Sequence, residues 1–229
     1  MGEWNWLLVA VVALFIILIM RGYYRGFLRM AVSMAGLILT IFVTTKILPN
    51  AAAILTENPY VYQTVYDKIT EVFHEVNAKA NNATKEEQNE VIETYELPGL
   101  IVSDLIVNNT SEVYEELKVT LFEEYIGKYL TLMIIKSGTF VIIYLILGIT
   151  LWIVIRVTGF ISKIPVIHGL NKALGLVTGF LTALILVWIF FFVMVMFLGN
   201  PVADNLLADV KDSQILSLIY NYNILFQIL

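Results

Sequence analysis

Few residues in this chain are suited to chemistry, and their placement limits what they can do. Cysteine is absent, which removes disulfides, thiolate metal sites and a Cys nucleophile. There are two histidines. His74 lies in an acidic stretch and His168 in a basic one. A zinc hydrolase would need His-Glu-x-x-His on one helix face, and nucleotide-driven work would need a Gly-x-x-x-x-Gly-Lys-Ser/Thr loop. Neither pattern occurs. Glu86, Glu87, Glu90 and Glu93 could attract cations, or form an ordinary solvated helix face. Arg25, Arg29, Lys163 and Lys172 could grip anionic head groups, or only set the orientation of the chain in a membrane. Polarity available for burial within the apolar runs includes the hydroxyls of Thr40, Thr44, Thr139, Thr150 and Thr178. The sequence therefore points to no catalytic set, no metal and no cofactor.

The elements that must carry these residues are membrane helices. Of 229 residues, 59% are hydrophobic and only 14% charged, with mean hydropathy +0.81. A soluble domain is about 25% charged, and one this apolar would expose sticky surface. Four runs approach the roughly 20 apolar residues a spanning helix needs: Trp4 to Met20, Met30 to Thr45 (extended by Ile47 and Leu48), Ser137 to Ile155, and Ala173 to Leu198. None alternates polar and apolar residues as barrel strands do. Ionisable groups inside spans usually mark a transport pathway, and these runs hold none between their flanking charges. A pore lined by backbone and hydroxyls in an oligomer stays open. No basic stripe interleaved with aromatics suggests nucleic acid.

Charge segregation predicts the topology. The first connection holds Arg21, Arg25 and Arg29, and the connection after the third run holds Arg156, Lys163 and Lys172, both without an acid. Short basic loops stay in the cytoplasm, so both chain ends are expected outside. A cleaved signal peptide would carry its positive charge before the apolar run. Here Glu3 precedes it and the arginines follow, which predicts a retained helix. Residues 49–131 then lie outside, with fifteen acids against five lysines.

That outer segment is patterned. Val61, Val65, Ile69, Val72 and Val76 recur at the spacing of one helix face. Residues 77–82 read as a polar loop, and Thr84 with Glu87 as a capping box. Leu97-Pro98-Gly99 is a break. Ser111 can cap a helix carrying Val113, Leu117, Leu121 and Ile126 that runs into the third span. A small helical cap is expected, the alternative being a mobile acidic loop. The tail from Gly199 ends in an apolar stretch, Ile215 to Leu229, too short and too interrupted by Asn221, Asn223 and Gln227 to span. It is expected to lie on the interface or pack on the cap.

Two features concern helix packing. Gly26, Arg29 and Gly36 have the spacing of Gly169, Lys172 and Gly179, with Phe27 matching Leu170. This suggests two like-oriented halves related by a pseudo-two-fold axis along the membrane normal. Gly175, Gly179 and Ala183 follow at four-residue intervals, while the second span carries Ala31, Ala35 and Gly36. Small residues at such spacing let helix backbones approach. Gly175 and Gly179 are expected to meet the Ala31, Ala35 and Gly36 region. Contact within one chain or between copies is open, as is a homo-oligomer.

Arg25-Gly26-Phe27-Leu28-Arg29 after a first span resembles the opening motif of the colicin V production protein (CvpA) family. Ile164-Pro165-Val166, Asn171-Lys172-Ala173-Leu174-Gly175 and Gly179 resemble its second motif. Four spans and Leu97-Pro98 in a long outer loop resemble the longer Gram-positive members. Asn5 stands where the family often has an acid, and Thr182 where it often has a basic residue. The resemblance implies a bacterial inner-membrane protein tied to bacteriocin production or export and to envelope maintenance, a context more than a reaction.

The expected molecule is an all-α integral membrane protein with four transmembrane helices and a helical extracytoplasmic insertion. Its parts are a first hairpin (1–48), an acidic segment (49–133), a second hairpin (134–198) and a tail (199–229). Gly26, Gly36, Gly175 and Gly179 are its packing residues, and Arg21, Arg25, Arg29, Arg156, Lys163 and Lys172 its cytoplasmic basic residues. Its expected partners are the lipid bilayer and an unknown membrane or envelope protein. The expected function is non-catalytic support of colicin V type toxin export and envelope upkeep. A small oligomeric channel or transporter is the alternative.

Overall fold

A computed structural model describes residues 5–95, 97–158, 170–197 and 199–228. Their regular structure is helical throughout: α1 (Trp6–Arg25), α2 (Phe27–Thr56), α3 (Pro59–Ala80), α4 (Lys85–Glu93), α5 (Gly99–Val107), α6 (Ser111–Leu117), α7 (Phe122–Thr158), α8 (Leu170–Val195), α9 (Pro201–Lys211), α10 (Gln214–Asn221) and a closing 3-10 helix, Ile224–Ile228. Four of them, α1, α2, α7 and α8, are long and apolar enough to cross a bilayer. The protein is an all-α integral membrane protein.

The spans do not pack in chain order. α1 lies along α8, and α2 lies along α7 while also touching α8; α1 and α2, separated by one residue, barely meet. Each hairpin thus lends one helix to the other. Asn5 starts α1, its side chain accepting the Leu8 N–H at 2.8 Å, and Gly26 at φ +80° stops it.

Helical hydrogen bonding outruns the apolar sequence at the cap end. α2 has 30 residues, about 45 Å at 1.5 Å per residue, against a hydrocarbon core of about 30 Å. It passes straight through Pro49, which the sequence reading places at the start of the outer segment. Pro49 leaves the Thr45 carbonyl without its usual backbone donor, a small loss near the end of a span, where water is close. α7 has 37 residues, about 55 Å, and its first turns form a wall of the cap. The expected boundaries at 48 and 133 therefore fall inside α2 and α7.

The cap is the helical set α3 to α6 gathered on the first part of α7. Asn58 opens α3 by accepting the Tyr60 and Val61 N–H groups. The buried side of α3 runs through Ile69, Asn77 and Ala80, with Phe73 half-buried, while Val72 and Val76 are exposed. The valine spacing identifies the helix, but its true inner face is set by what α7 offers. The Thr84–Glu87 capping box is formed. Pro98 ends the break before α5. Thr110, one residue before the expected Ser111, caps α6. That helix does not run into the span: Lys118 turns left-handed at φ 53°, and Glu124 gathers the Thr120 and Leu121 N–H groups to start α7 afresh. Tyr125 is fully buried and donates to the Leu105 carbonyl at 2.7 Å. The Tyr95 hydroxyl bonds the Asn77 side chain.

The tail packs on both cap and bundle. Asn221 accepts the Gly99 N–H at 3.0 Å. Trp188 of α8 donates to the Ile219 carbonyl, and Asn223 donates back to the Trp188 carbonyl. Phe226 stacks on Phe192, which meets Phe140 of α7.

Candidate functional site: the basic helix junction

One end of the bundle gathers the C-terminus of α1, the N-terminus of α2, the C-terminus of α7 and the N-terminus of α8. The first basic "loop" is a single residue. Gly26 stands alone between two helices, so Arg21 and Arg25 belong to the end of α1 and Arg29 to the start of α2. Short connections of this kind need a residue that tolerates positive φ, and Gly26 supplies it. A Cβ there would also run into the Asn171 side chain. Asn171 is buried and its Oδ1 accepts the Leu28 N–H at 3.2 Å. It thereby satisfies one of the free N–H groups that open every helix.

Beside this hinge the backbones of α1 and α8 nearly touch. A Cβ on Gly22 would strike the Gly175 carbonyl, lying 2.9 Å from its carbon. A Cβ on Gly175 would strike the Gly22 carbonyl in return. One on Gly179 would strike the Leu18 carbonyl and come within 2.8 Å of the Ile19 Cα. Phe15 and Phe180 meet one turn further, at 5.2 Å between rings. Residue numbers fall along α1 as they rise along α8, so the pair is antiparallel. Gly175 and Gly179 thus meet the backbone of α1, not the Ala31, Ala35 and Gly36 region of α2 expected for them. Gly36 faces Leu151 of α7, whose Cδ2 would be 3.3 Å from a Cβ. The physical reason is the one-residue hinge, which sets Gly22 of α1 beside the first turns of α8, so that the glycine face of α8 lies on α1 while α2 meets α8 on another side.

Gly22 is absent from the sequence reading, although a glycine one turn before Gly26 is the signal that could have found it. Asn171 is quoted there only as part of a motif. A polar side chain at the first turn of a membrane helix, next to a glycine-led helix start, is the sign of a cap.

The cations differ in setting. Arg21 and Arg25 are exposed and Arg29 is half-buried. The Arg29 Nε is shielded from solvent and has no hydrogen-bond partner among the described residues. Lys172 lies 5.3 Å from the Tyr23 ring centre and Arg156 5.3 Å from that of Trp152, both within cation–π range. Lys163, His168, Gly169 and Ile164-Pro165-Val166 lie outside the described residues. Chemically, the junction offers positive charge beside the N-termini of α2 and α8, a setting that attracts anions. His74 is far from it in the cap, with Nδ1 3.5 Å from a Glu123 oxygen.

The two halves also meet in register. Leu28 and Asn171 are 143 residues apart, the offset that relates Gly36 to Gly179. Ile38 with Leu181, and Ile41 with Leu184, have the same separation, and all four line one apolar cavity of about 400 Å³ between α2 and α8, closed by Ile224 and Leu225 of the tail. Equivalent residues gathered at one hydrogen bond and one cavity are the arrangement that a pseudo-axis between α2 and α8 would give.

This second half is also where the chain matches known proteins. Residues 110–223, about half the chain, match the family model described as colicin V production protein. The chain belongs to that family. The match spans α7, α8 and most of the tail, and so includes Asn171, Gly175 and Gly179; the Arg25 to Arg29 motif lies before it. No curated protein and no solved structure matches the chain. The two departures from the family pattern have structural uses here. Asn5 caps α1 as an acid would, but its amide also donates to the Asp209 carbonyl in α9, which a carboxylate cannot do. Thr182 is buried and donates to the Thr178 carbonyl at 2.7 Å.

Proposed function

We propose that this member of the colicin V production family is a non-catalytic protein of the bacterial inner membrane. It supports toxin production and export and envelope upkeep by binding a membrane or envelope partner, with both chain ends and the cap outside. The observation that carries the non-catalytic reading is how the buried hydroxyls are used. Thr40, Thr131, Ser137, Thr139, Thr178 and Thr182 each donate to a carbonyl one turn back on their own helix, while the buried Thr44 hydroxyl has no hydrogen-bond partner among the described residues. Polarity turned onto the local backbone stabilises helices in lipid and is not presented to a substrate or an ion path. The acid-free basic junction supports the orientation.

The test has two arms. Photo-crosslinking from the cap and the junction in native membranes, followed by identification of the captured protein, is expected to yield one defined partner. Reconstitution of the purified protein in liposomes is expected to give no solute or ion flux. Reproducible flux would move the assignment to an oligomeric channel or transporter.

A further inference from the structure

The cations of the helix junction have no counter-charge on any side chain near them. No acid occurs between Glu3 and Glu57 or between Glu124 and Asp204, the stretches that form α1, α2, most of α7 and α8. Glu57 closes α2 at its other end, about 40 Å from Arg29 at 1.5 Å per residue. Residues 159–169 add Lys163 and His168 but no acid. Three arginines nevertheless crowd the hinge, where Arg25 feels the like charges of both Arg21 and Arg29. Arg29 is the most enclosed of the three. It is half-buried, and its Nε is shielded from solvent without a hydrogen-bond partner among the described residues. A guanidinium cannot escape burial by losing its proton, and charge withdrawn from water is costly unless it is paired. Lys172 and Arg156 differ, since each lies against an aromatic ring.

The missing anion must come from outside the chain, and the surroundings of the cluster decide its kind. Arg21 and Arg29 bound the apolar runs of α1 and α2, so the cluster stands at head-group depth. Tyr24, between them in sequence, is exposed, as are Ile17 and Met20 on the membrane side of Arg21. Tyrosine favours the head-group level of a bilayer, and the apolar strip beyond it gives acyl chains a track along α1. We propose that Arg29, with Arg21 and Arg25 around it, binds the phosphate of an anionic phospholipid whose acyl chains lie along α1. Basic pockets between membrane helices on the cytoplasmic side suit such head groups. Phosphatidylglycerol and cardiolipin share this chemistry. Phosphatidylethanolamine does not, because its own ammonium would be brought among the three arginines. The site goes beyond the support role proposed above and holds with or without a protein partner.

The full chain in detergent, equilibrated with equal amounts of phosphatidylglycerol and phosphatidylethanolamine, can be read by native mass spectrometry. The wild type is expected to retain the glycerol lipid about fivefold or more over the ethanolamine lipid, the factor of one basic residue beside an anionic head group. Arg29→Gln should cut the preference to about twofold or less, while Arg29→Lys, which keeps the charge, should hold most of it. Arg25→Gln should lower it by a smaller factor, and serves if Arg29→Gln does not fold, as judged by circular dichroism. Lys46→Gln removes a cation from the other end of α2, where it lies 5.6 Å from the Phe42 ring centre, and should change nothing. Equal retention of the two lipids by the wild type would overturn the proposal, as would a preference that survives Arg29→Gln. An equal fall in Lys46→Gln and Arg29→Gln would also overturn it, showing attraction by net charge and not by a site. Displacement of the bound lipid by glycerol phosphate at constant ionic strength would overturn the lipid assignment in favour of a soluble phosphate.

Discussion

The two membrane hairpins use equivalent glycines differently. Gly36 in α2 and Gly179 in α8 occupy matching places in the repeat, and each faces a helix of the other hairpin. Gly179 meets backbone, the Leu18 carbonyl and Ile19 Cα, whereas Gly36 meets the end of the Leu151 side chain. The connections differ as well. Gly26 alone joins α1 to α2, while residues 159–169 separate α7 from α8. A one-residue hinge brings Gly22 and Asn171 into the same small space, so the α1–α8 seam must be close. At the α2–α7 seam Gly36 meets a side-chain end instead of backbone. A shared motif therefore fixes where helices cross, while the connection decides how near they come.

Substitutions can break this comparison in order of effect. Gly179→Leu should be the most damaging, because the atoms in its way are backbone and cannot rotate aside. Overpacking of that kind costs about 1–3 kcal/mol or more, read as a lowered melting temperature or lost monodisperse protein in detergent. Wild-type stability would end the close-seam account. Gly26→Ala should follow, at about 1–3 kcal/mol for a non-glycine residue held at positive φ with an extended ψ, together with displacement of Asn171. Asn171→Leu places at the contact the residue type of its own equivalent, Leu28. It should cost about 1 kcal/mol, for the Leu28 N–H loses its acceptor. Gly36→Ala should be near neutral, since Leu151 can yield by a few tenths of an ångström and alanine favours a helix by up to about 1 kcal/mol over glycine. A Gly36→Ala defect as large as that of Gly179→Leu would show that the two seams are alike.

The junction separates positional from chemical demand too. Arg25→Lys should leave yield and phenotype nearly unchanged if Arg25 only fixes orientation, because Lys and Arg count equally there. A stable but inactive Arg25→Lys protein would mean that the guanidinium fork, which Lys cannot reproduce, contacts a ligand.

The sequence made the spans legible because lipid demands long apolar runs, and it made the local caps legible because they use nearby residues. Thr84 with Glu87 needs only a four-residue window. The end of α2 was not legible, since helical bonding continues through Pro49 after the lipid signal has ended, and of α7 the run through Ile126 into the third span was legible but its fresh start at Phe122 was not. Nor was the stop at Lys118, a non-glycine left-handed turn held by the Lys128 bond to Leu117. At the junction, the glycine spacing was visible but its partner was not. Spacing says which face is small, and only the hinge at Gly26 determines which helix lies against it. The contribution of Asn171 was hidden for the same reason, because its acceptor bond reaches 143 residues back along the chain.

The crossed arrangement of the hairpins is the central claim, and the absence of native cysteine permits a direct test by pairwise disulfide formation in membranes. Phe15→Cys with Phe180→Cys, at the ring contact between α1 and α8, should crosslink within one chain. Phe15→Cys with Ile38→Cys, on the helix that follows α1 in sequence, should not. A 15–38 crosslink without a 15–180 crosslink, or a 15–180 bond found only between two chains, would contradict the arrangement.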